Sequence, residues 1–102
     1  MSGQGIAPIA LEMGYSVDEF VRVLPGAMRD WRVSGGPLQW RVLDELGCID
    51  VGIDLSPLAE RQLGALSVPV LAVTISPRPP TSTASMQEFM RRFERGFRRG
   101  GG

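Results

Sequence analysis

Residues 68–76, VPVLAVTIS, form the densest run of aliphatic and β-branched side chains in this sequence of 102 residues. Pro77, Pro79 and Pro80 follow the run closely. A short apolar run that is rich in Val and ends at prolines is typical of a buried strand rather than of a helix. We therefore expect the residues before it to pack with this strand as a helix and a hairpin, and the residues after it to fold back as a helix.

The hairpin is predicted from two neighbouring segments in which apolar and polar residues alternate. The pattern is strict over residues 49–55 and recurs over residues 38–42, so each segment is expected to form a strand with one buried face. A four-residue loop at 44–47 would join the two strands and place Arg41 directly opposite Asp50, as a cross-strand pair of opposite charge. The strand at 68–76 is expected to lie antiparallel to residues 48–55.

Two helices are predicted, one near each end of the chain. Ser16 and Glu19 have the spacing of a capping box, and an apolar stripe at helical spacing follows them until Pro25 interrupts it. Residues 81–85 offer several possible caps for the second helix, and among them Ser85 has the spacing of a capping box with Glu88. The second helix is expected to bury one apolar stripe, which consists of Met86, Phe89, Met90, Phe93 and Phe97.

Residues 56–67 are ambiguous. Ser56 followed by Pro57 is a favourable helix start, and Gly64 is a favourable helix end. An extended conformation from residue 61 to residue 66 is also compatible with the sequence. We favour a helical turn followed by irregular chain.

The chain ends are expected to be loosely attached. Residues 1–15 contain glycines and a proline and have no clear period, which predicts a flexible N-terminal arm. Residues 100–102 are glycines that are expected to fray after the last helix. The larger apolar side chains of the arm would dock on the domain or on a partner; they are Ile6, Ile9, Leu11 and Tyr15.

The predicted fold is a single α+β domain over residues 16–99 with two layers. An antiparallel sheet of three to four strands would carry the N-terminal and the C-terminal helix on one face. The opposite face of the sheet would be polar, with Gln39, Arg41, Asp50, Asp54 and Thr74.

The composition excludes several kinds of active site. The chain has no histidine and no lysine, and Cys48 is its one cysteine. Without histidine it cannot form a Ser-His-Asp or Cys-His catalytic site or an ordinary zinc site by itself. Without lysine it has neither a Schiff-base residue nor a P-loop lysine. We expect a non-enzymatic protein that needs no cofactor or metal, with Cys48 as a small buried hydrophobic residue.

The hydropathy of the chain indicates its compartment. No apolar segment approaches the roughly 20 residues of a membrane-spanning helix. Residues 1–11 lack the positive charge and the longer apolar stretch of a secretory signal. We therefore expect a cytoplasmic protein without a membrane partner.

The distribution of charge is the main indication of function. The formal net charge is zero, but residues 82–102 contain five arginines and only two acidic residues. This basic segment predicts a partner-binding surface. We expect the partner to be another protein or a second copy of the chain. The candidate partner-binding residues are Arg91, Arg92, Arg95, Arg98 and Arg99.

Two alternatives remain open at this point. The same arginines could bind nucleic-acid phosphates, in which case the affinity would fall steeply with salt. A small ligand could instead bind between the helices and the sheet, near Tyr15, Trp31 and Trp40.

Overall fold

The computed structural model describes residues 6–98 and has a five-stranded antiparallel sheet with two helices packed on it. Residues 1–5 of the predicted arm and the predicted glycine tail at 100–102 lie outside this range. The α+β class with two packed helices is confirmed, and the sheet has one strand more than the upper number expected. The elements are β1 (Ile9–Met13), α1 (Val17–Met28), β2 (Arg32–Gly35), β3 (Gln39–Leu43), β4 (Asp50–Leu63), β5 (Leu66–Pro77) and α2 (Thr83–Gly96).

The order of the strands across the sheet is β1-β5-β4-β3-β2. Strands β2 to β5 form a meander, and β1 joins its far edge beside β5. Alternate residues of the central strands point to the helices and are buried, which agrees with the predicted period of two. The largest fully buried side chains are Phe20, Phe89, Leu24, Met28, Ile53, Leu71, Ile75, Val42, Val51 and Val73.

Strand β1 lies within the segment that was expected to be a flexible arm. It pairs antiparallel with β5, from Ile9 opposite Ile75 to Met13 opposite Leu71. The prediction of a flexible arm is therefore wrong for the residues of β1. Five residues of weak alternation predict little by themselves, and β5 supplies the hydrogen-bonding partners that make them a strand.

Residues 56–63 and 66–67 are extended, so the predicted helical turn is wrong. β4 continues to Leu63 and β5 begins at Leu66, and the two-residue turn between them starts with Gly64 at a φ of +63°. Glycine at the first position is typical of a type II′ hairpin turn. A glycine that suits the end of a helix therefore serves as a turn residue here, because the two strands pair across it.

Two prolines fit within this hairpin for different reasons. The Leu55 amide donates to the Leu38 carbonyl oxygen (2.8 Å), on the β3 side of the strand. Since amides alternate along a strand, the nitrogen of Pro57 points to the same side, beyond the end of β3, where no hydrogen bond is lost. Pro69 lies opposite residues 59–60, at a β-bulge in the ladder between β4 and β5.

The β3–β4 hairpin is confirmed, but its predicted register is wrong by two residues. Arg41 lies opposite Gly52 rather than opposite Asp50. The loop is longer than four residues, because the Asp44 carboxylate accepts hydrogen bonds from two amides after the turn (2.8 and 3.0 Å). A shift of two keeps each side chain on its predicted face. The Arg41 guanidinium therefore still donates to the Asp50 carboxylate diagonally, at 2.9 and 2.7 Å.

Both helices start at side-chain caps. The Ser16 hydroxyl accepts a hydrogen bond from the Glu19 amide (3.1 Å), and the Glu19 carboxylate accepts one from the Ser16 amide (2.9 Å), as predicted. Pro25 lies inside α1, which continues past it to Met28 and is not broken there. The cap of α2 is Ser82, one of the possible caps within residues 81–85, and its hydroxyl accepts a hydrogen bond from the Ser85 amide (3.1 Å).

The Arg41–Asp50 pair leads to a prediction of acid sensitivity. Hydrogen bonds from the Arg41 guanidinium hold the pKa of Asp50 below its ordinary value of 3.8. A carboxylate whose pKa is lowered by folding stabilises the fold at pH values above its ordinary pKa. This contribution to the free energy of unfolding is lost as the pH falls through the folded-state pKa. We expect Asp50→Asn to lower the free energy of unfolding at pH 7 and to have a much smaller effect near pH 2, as measured by urea unfolding. An equal effect at both pH values would contradict this role.

A close approach of the two helices leads to a second prediction. A Cβ atom added at Gly96 would overlap Ala27, whose Cα would lie only 2.7 Å away, whereas one added at Gly26 would meet no atom within 4 Å. We expect Gly96→Ala to lower the free energy of unfolding by about 1–3 kcal/mol, because the helices must move apart. Gly26→Ala should raise it by about 0.5–1 kcal/mol, since alanine favours the helix. Urea unfolding of both variants tests this, and two shifts of the same sign would disprove the close contact.

Candidate functional site

One of the candidate arginines, Arg92, is used within the fold. Arg92 contacts the end of α1, where its Nη1 donates to the Met28 carbonyl (2.6 Å) and to the Asp30 carboxylate (3.0 Å). Its guanidinium carbon lies 3.7 Å from the centroid of the Trp31 ring. The hydrogen bond from Arg92 to the Asp30 carboxylate holds the pKa of Asp30 below its usual value. Only 21% of the Arg92 side chain is exposed, so its guanidinium is occupied within the fold.

The remaining candidate arginines have different surroundings. Arg91 forms an ion pair with Glu88 on the same helix and also borders a groove beside β1. Arg95 and Arg98 are exposed. Arg99 lies outside the described residues. In the described part of the basic segment, Arg91 and Arg92 are therefore paired with acidic residues, whereas Arg95 and Arg98 are exposed.

The groove lies between α2 and the N-terminal half of β1, and it has a volume of about 420 Å³. Its α2 residues recur at helical spacing and therefore share one side of the helix. Ile9 is the β1 residue in the groove, on the face of the sheet that carries the helices. The lining residues are Ile6, Ile9, Thr83, Met86, Gln87, Met90, Arg91 and Glu94.

The floor of the groove is apolar and its rim is polar. Met86 is buried and Met90 is half-buried, and Ile6 and Ile9 face them as half-buried side chains. Both methionines were predicted to lie in the apolar stripe of the helix, and the groove was not predicted. The groove exists only because β1 is a strand, and β1 was expected to be part of a flexible arm.

The outer edge of β1 is open to pairing. Among residues 6–98, β1 pairs only with β5, so its other side presents backbone amides and carbonyls. Glu12 is its one charged residue, and it contains neither glycine nor proline. The other edge of the sheet is the four-residue β2, which carries Arg32 and ends at Gly35 with a φ of +120°. Short, charged and irregular strands protect a sheet edge, and β1 has little of this protection.

An open strand edge beside an apolar groove can bind an extended segment of another chain. The backbone of such a segment would pair with β1, and alternate side chains would enter the groove. This arrangement needs neither a metal nor an ionisable catalytic group.

Other expected sites are not brought together. The Tyr15 hydroxyl donates to the Phe97 carbonyl (2.8 Å), and the Trp40 indole donates to the Pro37 carbonyl (3.0 Å), whereas Trp31 stacks on an arginine. The three aromatic residues named for a small-ligand site thus have their partners in three separate places.

The single thiol and the acidic residues form no centre either. Cys48 is exposed in the loop between β3 and β4, so the expectation that it is buried is wrong. Within residues 6–98, no three His, Cys, Asp or Glu side chains are grouped to hold a metal ion. No helix in the same range is long and apolar enough to cross a membrane.

No protein-family model, no curated protein and no solved structure matches this chain. A function can therefore be inferred only from its own surfaces. Among these surfaces, the groove and the open edge of β1 lie next to each other.

The contacts of Arg92 lead to a prediction that separates structural from exposed arginines. We expect Arg92→Gln to lower the free energy of unfolding by about 2 kcal/mol, because it removes the stacking on Trp31 and a charged hydrogen bond at the end of α1. Arg95→Gln, an exposed change on the same helix, should stay within about 0.5 kcal/mol of the unchanged protein. Urea unfolding measures both, and equal stabilities of the two variants would contradict the structural role.

Proposed function

We propose that this chain is a non-enzymatic protein-binding module that holds an extended segment of a partner protein against β1. The observation that supports the proposal is the position of the groove directly beside an open strand edge. The edge selects an extended backbone, and the groove selects apolar side chains.

The partner segment would become a sixth strand next to β1. β1 has five residues, so the paired segment would extend over roughly 17 Å. Side chains on one face of that segment would point to the helix side and enter the groove. Those on the other face would lie beside Ala10 and Glu12, which are exposed on the opposite face of the sheet. The expected ligand therefore has apolar residues at every second position and tolerates polar residues between them.

The groove suits several aliphatic or aromatic side chains. Its volume of about 420 Å³ lies within the usual range of ligand pockets, about 300–1,000 Å³. Met86 and Met90 are flexible side chains that adapt to different shapes. This favours a module that accepts related apolar sequences rather than one unique peptide. We further propose a cytoplasmic location, where a lone exposed thiol such as Cys48 stays reduced.

Selection of a random-peptide display library on the folded protein tests the proposal. We expect the selected peptides to carry apolar residues at alternate positions. Met90→Glu should weaken the binding of a synthetic selected peptide at least tenfold, because a charge would enter the apolar groove. Arg95→Gln, on the same helix but outside the groove, should leave the affinity unchanged. Fluorescence anisotropy measures the affinities, and thermal unfolding checks that both variants are folded.

N-methylated peptides test the strand pairing without any change to the protein. Methylation of alternate amides on one side of the bound peptide should abolish binding, whereas methylation on the other side should not, since only one side pairs with β1. Peptides that bind Met90→Glu as tightly as the unchanged protein would overturn the proposal. A random oligonucleotide that binds through Arg95 and Arg98 would favour the nucleic-acid alternative instead.

A further inference from the structure

The ends of β4 and β5 form a two-stranded ribbon that extends beyond the rest of the sheet. β3 ends opposite Asp54 of β4, and β1 ends opposite Leu71 of β5. Residues 56–70, the projecting hairpin, therefore have no further strand beside them within residues 6–98. All β4 residues of this hairpin are exposed.

The projecting hairpin has one apolar face. Ser56 and Leu58 point away from the helices. Because of the β-bulge at 59–60, Leu63 points to the same face as Leu58. On the opposite face the Gln62 side chain donates to the Ser67 hydroxyl (2.8 Å). The apolar face, here called the apolar strip, consists of Leu58, Leu63, Leu66, Val68 and Val70.

The strip is uncovered at its tip. Leu63 is 54% exposed and Leu66 is 67% exposed. A two-stranded hairpin is marginally stable in water by itself, and a contiguous apolar patch usually marks an interaction surface. Two strands over six residues make a strip of roughly 10 by 20 Å. This is far less than the about 800 Å² that each partner contributes to a standard interface. A partner that covers the strip stably must therefore also touch the neighbouring sheet.

The neighbouring sheet surface carries small side chains together with the carboxylates of Glu12, opposite Ala72, and Asp54, opposite Thr74. Ala10 of β1 lies beside Thr74 of β5, and Ala72 lies one pair further toward the strip. These residues are on the face that the helices leave open, because they alternate with the buried residues of β1 and β5. A ribbon from another molecule could approach this surface closely.

Local charges favour a second copy of the chain as that molecule, because the face of the hairpin that carries the strip has Arg61 while the receiving sheet surface has the Glu12 and Asp54 carboxylates. The formal net charge is zero, so two copies have no overall charge repulsion. Arg61 lies opposite Val68, on the same face as the strip. Its guanidinium is 3.7 Å from the Glu12 carboxylate of the same chain. The strip of one copy can thus lie on the open sheet face of the other while Arg61 stays beside a carboxylate.

We infer that two copies associate face to face, with the projecting hairpin of each lying on the β1–β5 part of the other's open sheet face. A two-fold axis would make both contacts at once, as an isologous interface requires, and would double the buried area. The inference does not rest on the proposed peptide-binding function, because the groove and the outer edge of β1 stay accessible in this arrangement.

Sedimentation velocity over a concentration series tests the inference. We expect the unchanged protein to sediment as a dimer of twice 11.1 kDa. Leu63→Gln combined with Leu66→Gln should raise the dissociation constant of the dimer at least tenfold. Leu46→Gln changes the most exposed leucine, in the loop after β3 and outside the strip, and should leave the dimer intact. A monomer at all concentrations, or a dimer weakened only by Leu46→Gln, would overturn the inference.

Disulfide trapping tests the arrangement directly. In a Cys48→Ser background, Leu66→Cys together with Ala10→Cys should form disulfides between two chains under mild oxidation. Within one chain the two positions are roughly 27 Å apart along the sheet, too far for a disulfide. Absence of cross-linked dimer would overturn the arrangement.

Measurement of peptide binding and of dimerisation on the same variants distinguishes a failure of this inference from a failure of the proposed function. Met90→Glu should lose the selected peptide and remain dimeric, and the Leu63→Gln, Leu66→Gln variant should bind the peptide as a monomer. A dimer that dissociates on Met90→Glu would instead show self-pairing through β1 and would overturn the inference.

Discussion

The antiparallel pairing of β4 with β5 is the interaction on which the rest of the structure depends. Eleven residue pairs join the two strands, from Val51 opposite Pro77 to Leu63 opposite Leu66. β3 and β2 attach to one side of this ladder and β1 to the other, while both helices cover one face. Both candidate surfaces depend on this ladder. Residues 71–75 of β5 pair with β1, and the end of the ladder that has no neighbouring strand is the projecting hairpin.

The position of α2 determines whether the groove beside β1 exists. Phe93 and Phe97 stack on Phe20 and on each other, with ring centroids 4.6 to 6.0 Å apart, and they hold α2 against α1. Arg92 adds to the contact between α2 and the end of α1, because its guanidinium lies over the Trp31 ring. The side of α2 that carries Phe93 therefore packs on α1. The side that carries Met90 lines the groove beside β1. An arginine that belongs to the basic segment in the sequence becomes a packing residue in the structure.

Local patterns predicted the parts of the fold that depend on neighbouring residues. The capping box at Ser16, the alternation over β3 and β4 and the apolar stripe of α2 each depend on contacts over a few residues, and the structure contains all of them. The register of the β3–β4 hairpin was wrong by two because Asp44 binds two amides and lengthens the loop. That detail depends on a side-chain hydrogen bond which alternation cannot reveal.

The sequence by itself determined the α+β class, the faces of the central strands and the absence of histidine and lysine chemistry. Tertiary structure alone decided that residues 9–13 and 56–63 are strands, because their hydrogen-bonding partners lie in β5, far away in the chain. The groove and the apolar strip depend on those two strands. Pairing over a long sequence distance overrides weak local preference, and so the fold could largely be predicted from the sequence while the candidate surfaces could not.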